Sequence, residues 1–277
     1  MSLPASASFS QRCWHWAHRL ACLLGFVYLL APVIVVIPLS VSSSTFLSYP
    51  LPGWSLRWYE QILQPYPWML AMKNSLFVAS TVALVSTVLG TLAAYGLTLA
   101  NFRFKGLIIA TFVSPMVVPV VISAVAMYLF LAQLHLVGTF SGLILAHTVL
   151  ASPFVVIIVL ATLQGFDQNL IRAGASLGAR PLTVFFRITL PLILPGVVSG
   201  AIFAFTTSFD EIVVAMFIAA PTQLTLPRQL FTGLRDQMDP SIVAAATLLI
   251  AISVTLMALM ELLQWRGERL RSRQVHD

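Results

Sequence analysis

The chain has 277 residues, 59% of them hydrophobic and only 9% charged, with a formal net charge of +6. A mean hydropathy of +0.94 excludes an ordinary soluble domain, and several apolar runs reach the ~20 residues needed to cross ~30 Å of hydrocarbon. The basic excess fits membrane topology better than nucleic acid, because no polar face interleaves basic with aromatic residues. Cys13 and Cys22 form neither a disulfide framework nor a metal spacing.

Six spans are predicted in chain order, over about 20–41, 72–100, 107–132, 140–163, 193–218 and 240–263. Arg12 and Arg19 precede the first. That span is longer than a signal-peptide core and no A-x-A site follows, so an uncleaved first span is expected. The segment at about 42–70 holds Pro50, Pro52, Trp54, Trp58, Tyr59, Tyr66 and Trp68. Its aromatics predict an anchor at the lipid interface, with a short surface helix, or a contact surface for an external partner. In span two, Ala79, Ala83, Thr87, Gly90 and Ala94 form a small-residue ridge. In span five, Gly196, Gly200, Ala204 and Ser208 recur every four residues, a spacing that lets helices approach closely in lipid. Pro115, Pro119 and Pro153 fall inside apolar spans, each predicting either a kink or backbone beside a cavity.

With both termini inside, Arg12, Arg19, Arg103, Lys105, Arg172, Arg180, Arg187, Arg266, Arg269, Arg271 and Arg273 are cytoplasmic. Arg57, Lys73, Arg228 and Arg235 lie outside or at the boundary. The excess fixes this orientation, with multiple passes and both termini cytoplasmic. The organisation expected is a tail, first span and outer loop over 1–69, a core of five spans over 70–265, and a basic tail over 266–277. A cytoplasmic loop at about 164–192 interrupts the core.

That loop reads "RAGASLGARPLTVFFRITLPLILPG" from Arg172 to Gly196. Asp167 is a plausible N-cap, and Leu170, Ile171, Gly174 and Leu177 share one helical face. Gly178 is the expected left-handed stop, and Pro181 suits the first turn of a second short helix presenting Leu182, Phe185, Phe186 and Thr189. Pro191 and Pro195 are expected to close that helix and start span five. The residues alone leave two readings, an amphipathic lid on the membrane and a docking site for a cytoplasmic partner.

The same stretch resembles the cytoplasmic "EAA" loop of binding-protein-dependent ABC importer permeases. Ala173, Leu177, Gly178, Ile188, Leu190 and Pro191 match its pattern. Arg172 stands where a glutamate is usual and Gly174 replaces the second alanine. The resemblance covers roughly 70–265. It implies an all-α membrane protein of six transmembrane helices with the type I importer permease fold, in a bacterial inner membrane. It also implies that Arg172, Ala173, Gly174, Leu177 and Gly178 couple to a cytoplasmic ATPase. That partner would bind ATP and Mg, since this chain has no G-x-x-x-x-G-K-[ST] motif. A second permease subunit, a paralogue by the resemblance, and a periplasmic or lipid-anchored solute-binding protein complete the implied assembly. No cofactor, metal or catalytic motif is expected in the chain itself, and His135 and His147 read as loop or packed histidines.

Asp210 and Glu211 fall inside predicted span five, where charged groups normally face a cavity or a partner. On a continuous helix Glu211 lies mid-way across the small-residue face and Asp210 at its edge. Either they form a structural ion pair, for instance with Arg228 or Arg235, or they attract a cationic solute. "TSFDEIVVAMF" and "TLPRQLFTGLRDQMDPSIVAAATLL" resemble the spermidine/putrescine branch of these permeases. The resemblance implies substrate recognition by Ser208, Asp210 and Glu211. In "SPMVVPVV", Val120 stands where polyamine permeases often carry an acid, so opines, aminoalkyl phosphonates or other amino-acid-like solutes are alternatives. An ion-coupled carrier or a structural subunit would need no such cytoplasmic loop.

Overall fold

A computed structural model of the chain describes residues 9–100, 102–167, 169–236 and 240–274. In chain order the helices are α1 (Phe9–Ser40), α2 (Arg57–Ile62), α3 (Leu70–Leu99), α4 (Lys105–Val117), α5 (Val120–Gln133), α6 (Phe140–Gln164), α7 (Asn169–Ser176), α8 (Pro181–Val184), α9 (Leu190–Phe209), α10 (Val213–Ile218), α11 (Leu226–Asp236) and α12 (Ser241–Gln274). π-helical turns at Pro65–Met69 and Phe185–Thr189 lead into α3 and α9. No strand occurs among the described residues beyond one antiparallel bridge, Ser42 to Trp54. Five helical stretches are long and apolar enough to span a membrane, or six when the bent pair α4–α5 counts as one. The fold is thus the all-helical one expected. Of the basic tail, 275–277 lie outside the described residues.

The chain divides into two units, Met1–Leu63 with Gly233–Leu248 and Gln64–Thr232 with Leu249–Asp277. In the first, α1 presents its apolar side chains outward along its length. The loop after it folds back on itself: Trp58 Nε1 donates to the Ser42 carbonyl at 2.8 Å, and the Ser43 N–H to that of Gly53 at 3.0 Å. The expectation of an aromatic belt is corrected in part. Trp54 is exposed, but Trp58 is buried, because its indole N–H has a carbonyl to satisfy inside the loop.

In the second unit α3, α6 and α9 pack around Val78, Val82, Leu143, Val155, Val159 and Ile193. Both small-residue rows face this core: Gly90 and Ala94 are buried on α3, as are Gly196, Gly200, Ala204 and Ser208 on α9. Small side chains are needed because α6 comes close to both. A Cβ added at Gly90 would lie 2.7 Å from Val155 Cγ1, and one at Gly200 would lie 3.3 Å from Val155 Cα.

Two predicted spans change shape. Span three is two helices bent by 106° at Val118–Pro119. Pro119 has no N–H to continue α4, and it disfavours helical geometry at the residue before it, where Val118 is extended at ψ 133°. Span five starts earlier, running from Pro181 to Phe209 as one helical stretch. Pro191 does not end it, because the π turn at Phe185–Thr189 widens the backbone just before the proline. Span five also ends earlier, at Phe209 rather than near residue 218, and α10 is a separate helix.

Candidate functional site

The 164–192 segment forms largely as its sequence suggests. Asp167 Oδ1 accepts the Asn169 N–H at 2.9 Å and starts α7. Gly178 has φ +80°, its N–H donates to the Ala175 carbonyl at 2.9 Å, and the Ala179 N–H donates to that of Gly174 at 3.1 Å. This pair of backbone bonds is the Schellman stop, with glycine at the left-handed residue. Gly174 is buried, and a Cβ there would lie 3.0 Å from Ile188 Cδ1 and 3.2 Å from Val184 Cγ2. The glycine that departs from the EAA pattern thus seats α7 against the next helix.

The two predicted apolar faces do not survive intact. Leu177 is 89% exposed and Leu182 71%, while Phe185 and Thr189 turn inward. The π turn shifts the phase of the side chains after Val184, so Phe185 and Phe186 no longer share a face. Arg172 and Ala173 are exposed. The segment therefore shows Arg172, Leu177, Leu182 and Phe186 to its surroundings, a basic and apolar surface held by the Gly174 contact.

The acids lie at a break, not within a helix. The Asp210 N–H closes α9 on the Thr206 carbonyl at 3.0 Å, and Asp210 is exposed. Glu211 Oε1 then accepts the Val214 N–H at 2.9 Å, at the start of α10. The helical-wheel placement of Glu211 on the small-residue face is thereby corrected, since the wheel presumes an unbroken helix. The carboxylate instead satisfies an orphan donor at the α10 N-terminus. Among the described residues, neither acid is in an ion pair. Arg228 is engaged elsewhere: its guanidinium donates to the Ala219 carbonyl, 2.6 Å away, at the far end of α10.

The segment following the acids is stitched to its unit by polar side chains. Asn74 Nδ2 donates to the carbonyls of Thr222 (3.1 Å) and Leu224 (2.9 Å). Ser75 Oγ accepts the Leu226 N–H at 2.8 Å, and the Gly138 N–H donates to the Ile218 carbonyl at 2.8 Å. Irregular backbone near membrane depth needs such partners. The sequence offered no sign of them, because each pairs with a residue far along the chain.

Ser208, the third predicted site residue, is buried with its hydroxyl 2.9 Å from His147 Nδ1. His147 on α6 is itself buried, so it is packed as expected, but not isolated. The available signal was an ionisable side chain inside an apolar span. Among the described residues no group of three or more His, Cys, Asp or Glu could hold a metal.

The described residues form an all-helical bundle with membrane-length apolar helices, one broken span and a glycine-capped loop, the makeup of a polytopic membrane protein. The chain belongs to the family of binding-protein-dependent transport system inner membrane components, whose pattern matches residues 86–267. It is 36% identical over 262 residues to the putrescine transport system permease protein PotI of Escherichia coli K12, covering 91% of this chain and 92% of that one. It is 32% identical to the spermidine/putrescine transport system permease protein PotC of Haemophilus influenzae, covering 86% and 92%. A bacterial ABC transporter that imports the acidic polysaccharide alginate has a subunit of the same fold, with a TM-score of 0.79 at 15% identity, covering 93% of this chain and 99% of that one. The type I importer permease fold and an importer permease role are thus those of this chain.

Proposed function

We propose that the chain is the membrane subunit of an ATP-driven importer of putrescine, spermidine or a related amine. The observation that carries the reading is the pair of adjacent carboxylates at the α9–α10 break, which form no ion pair among the described residues, in a chain 36% identical to a putrescine permease. An ammonium group is all donor and carries positive charge, so it needs anionic and neutral acceptors together. Asp210 and Glu211 supply charge and Ser208 a hydroxyl. The exposed Asp210 is the first of these a solute would meet.

On this reading Arg172, Ala173, Gly174, Leu177 and Gly178 seat the loop on a cytoplasmic ATPase, which binds ATP and Mg. The chain performs no chemistry of its own. A paralogous permease completes the path and a solute-binding protein delivers the amine. Both termini face the cytoplasm, which puts the 164–192 loop on the ATPase side. The test is reconstitution of the complete complex with its binding protein in lipid vesicles. ATP-dependent accumulation of labelled putrescine or spermidine is expected; accumulation of neither, with an active ATPase, overturns the amine assignment.

A further inference from the structure

His147 is buried on α6, with Leu143 one turn before it and Ala151 one turn after, both fully enclosed. Its Nδ1 meets Ser208, but its Nε2 is buried with no hydrogen-bond partner among the described residues. A neutral imidazole carries one N–H and one bare nitrogen. If Nδ1–H donates to Ser208, Nε2 is a free acceptor. If the serine donates, an N–H is left over. Either way a buried polar atom is left without a partner among the described residues, at a cost that a leucine would avoid. The place is also particular: Ser208 holds the ring two residues before Asp210.

We propose that His147 is a substrate-contacting residue. Nδ1–H donates to Ser208 and fixes the ring, and Nε2 accepts an N–H of the ammonium group as the amine passes the α9–α10 break. A neutral acceptor orients a cation without adding negative charge. Entry is then favoured without the tight holding that would prevent exit. The inference rests on the amine reading above and adds a named contact to it.

The two ring nitrogens can be tested separately in the reconstituted complex with labelled putrescine. His147→Asn keeps a polar group near the Nδ1 position and loses Nε2. His147→Gln reaches the Nε2 position and loses the bond to Ser208. His147→Leu fills the space with no polar atom. The Asn and Leu variants should raise the KM for putrescine about tenfold, with basal ATPase activity retained, while Gln keeps most of the uptake. Unchanged KM in the Asn or Leu variant, or greater damage in Gln than in Asn, overturns the proposal. Failure of all three to assemble assigns His147 to packing and overturns it too. Absence of putrescine uptake by the unmodified complex defeats the amine reading and this contact together. Normal uptake with a silent Asn variant defeats the contact alone.

Discussion

Gly90 on α3 closes against Val155 on α6 so tightly that a Cβ at residue 90 would lie 2.7 Å from Val155 Cγ1 and 2.8 Å from its Cβ. Neither partner is the end of a flexible side chain. Gly90→Ala should therefore push the two helices apart and cost about 1–3 kcal/mol. Val155→Ala in the same chain should recover part of that loss. Thermal unfolding of the purified protein in detergent measures both, and a Gly90→Ala variant as stable as the parent contradicts the packing described.

Gly178 presents a different case, because a Cβ there would meet nothing within 4 Å. Only its φ of +80° opposes substitution. Gly178→Val should cost more than Gly178→Asn, since asparagine tolerates the left-handed region and β-branched residues do not. Transport by the Val variant should fall while its abundance in the membrane holds. Equal transport by Gly, Asn and Val variants would show that the elbow's geometry does not matter.

Arg172 reverses the charge usual at its position and is exposed beside the buried Gly174. Its expected counterpart is an acidic or carbonyl-rich rim on the ATPase. Arg172→Glu should lower the amount of ATPase that copurifies with the chain, and more so at low salt, where charge repulsion is least screened. Tighter assembly with higher uptake would show that the arginine is merely tolerated.

Glu211 combines a cap and a charge, and the two can be separated. Glu211→Gln keeps an acceptor for the Val214 N–H, whereas Glu211→Ala removes it and should cost about 1 kcal/mol of local stability. If the acids attract the solute, Asp210→Asn with Glu211→Gln should assemble normally and lose most amine uptake. Normal uptake by that double variant would remove both acids from the path.

Asn74 donates to two carbonyls of the segment after α10. Asn74→Asp faces those carbonyls with a carboxylate, and Asn74→Leu leaves both without this donor. Each should cost about 1–3 kcal/mol and speed proteolysis near residues 219–226. Unchanged proteolysis in both variants would show that Asn74 does not hold the segment.

Hydrophobicity revealed the spans and small-residue spacing revealed the packed faces of α3 and α9, because both signals are local and periodic. Gly178 was legible for the same reason: a left-handed stop has a glycine and a following proline. The break after Phe209 was not. No glycine or proline lies between Thr206 and Val214, so nothing punctuates the helix there, and a wheel drawn through Asp210 and Glu211 carried the wrong phase. The π turn at Phe185–Thr189 is equally silent in sequence and undid the predicted Leu182–Phe186 face. The His147–Ser208 contact joins residues 61 apart, beyond any periodic reading.

The stretch from Pro181 to Phe209 comprises 29 residues, a rod of roughly 43 Å at the α-helical rise. It begins three residues after the Gly178 elbow and ends one residue before Asp210, with no loop between. A tilt of about 5° imposed at its first end would displace the other by nearly 4 Å by simple leverage on that length. Distance between the 164–192 loop and the acids is thus no barrier to communication. It supplies mechanical gain.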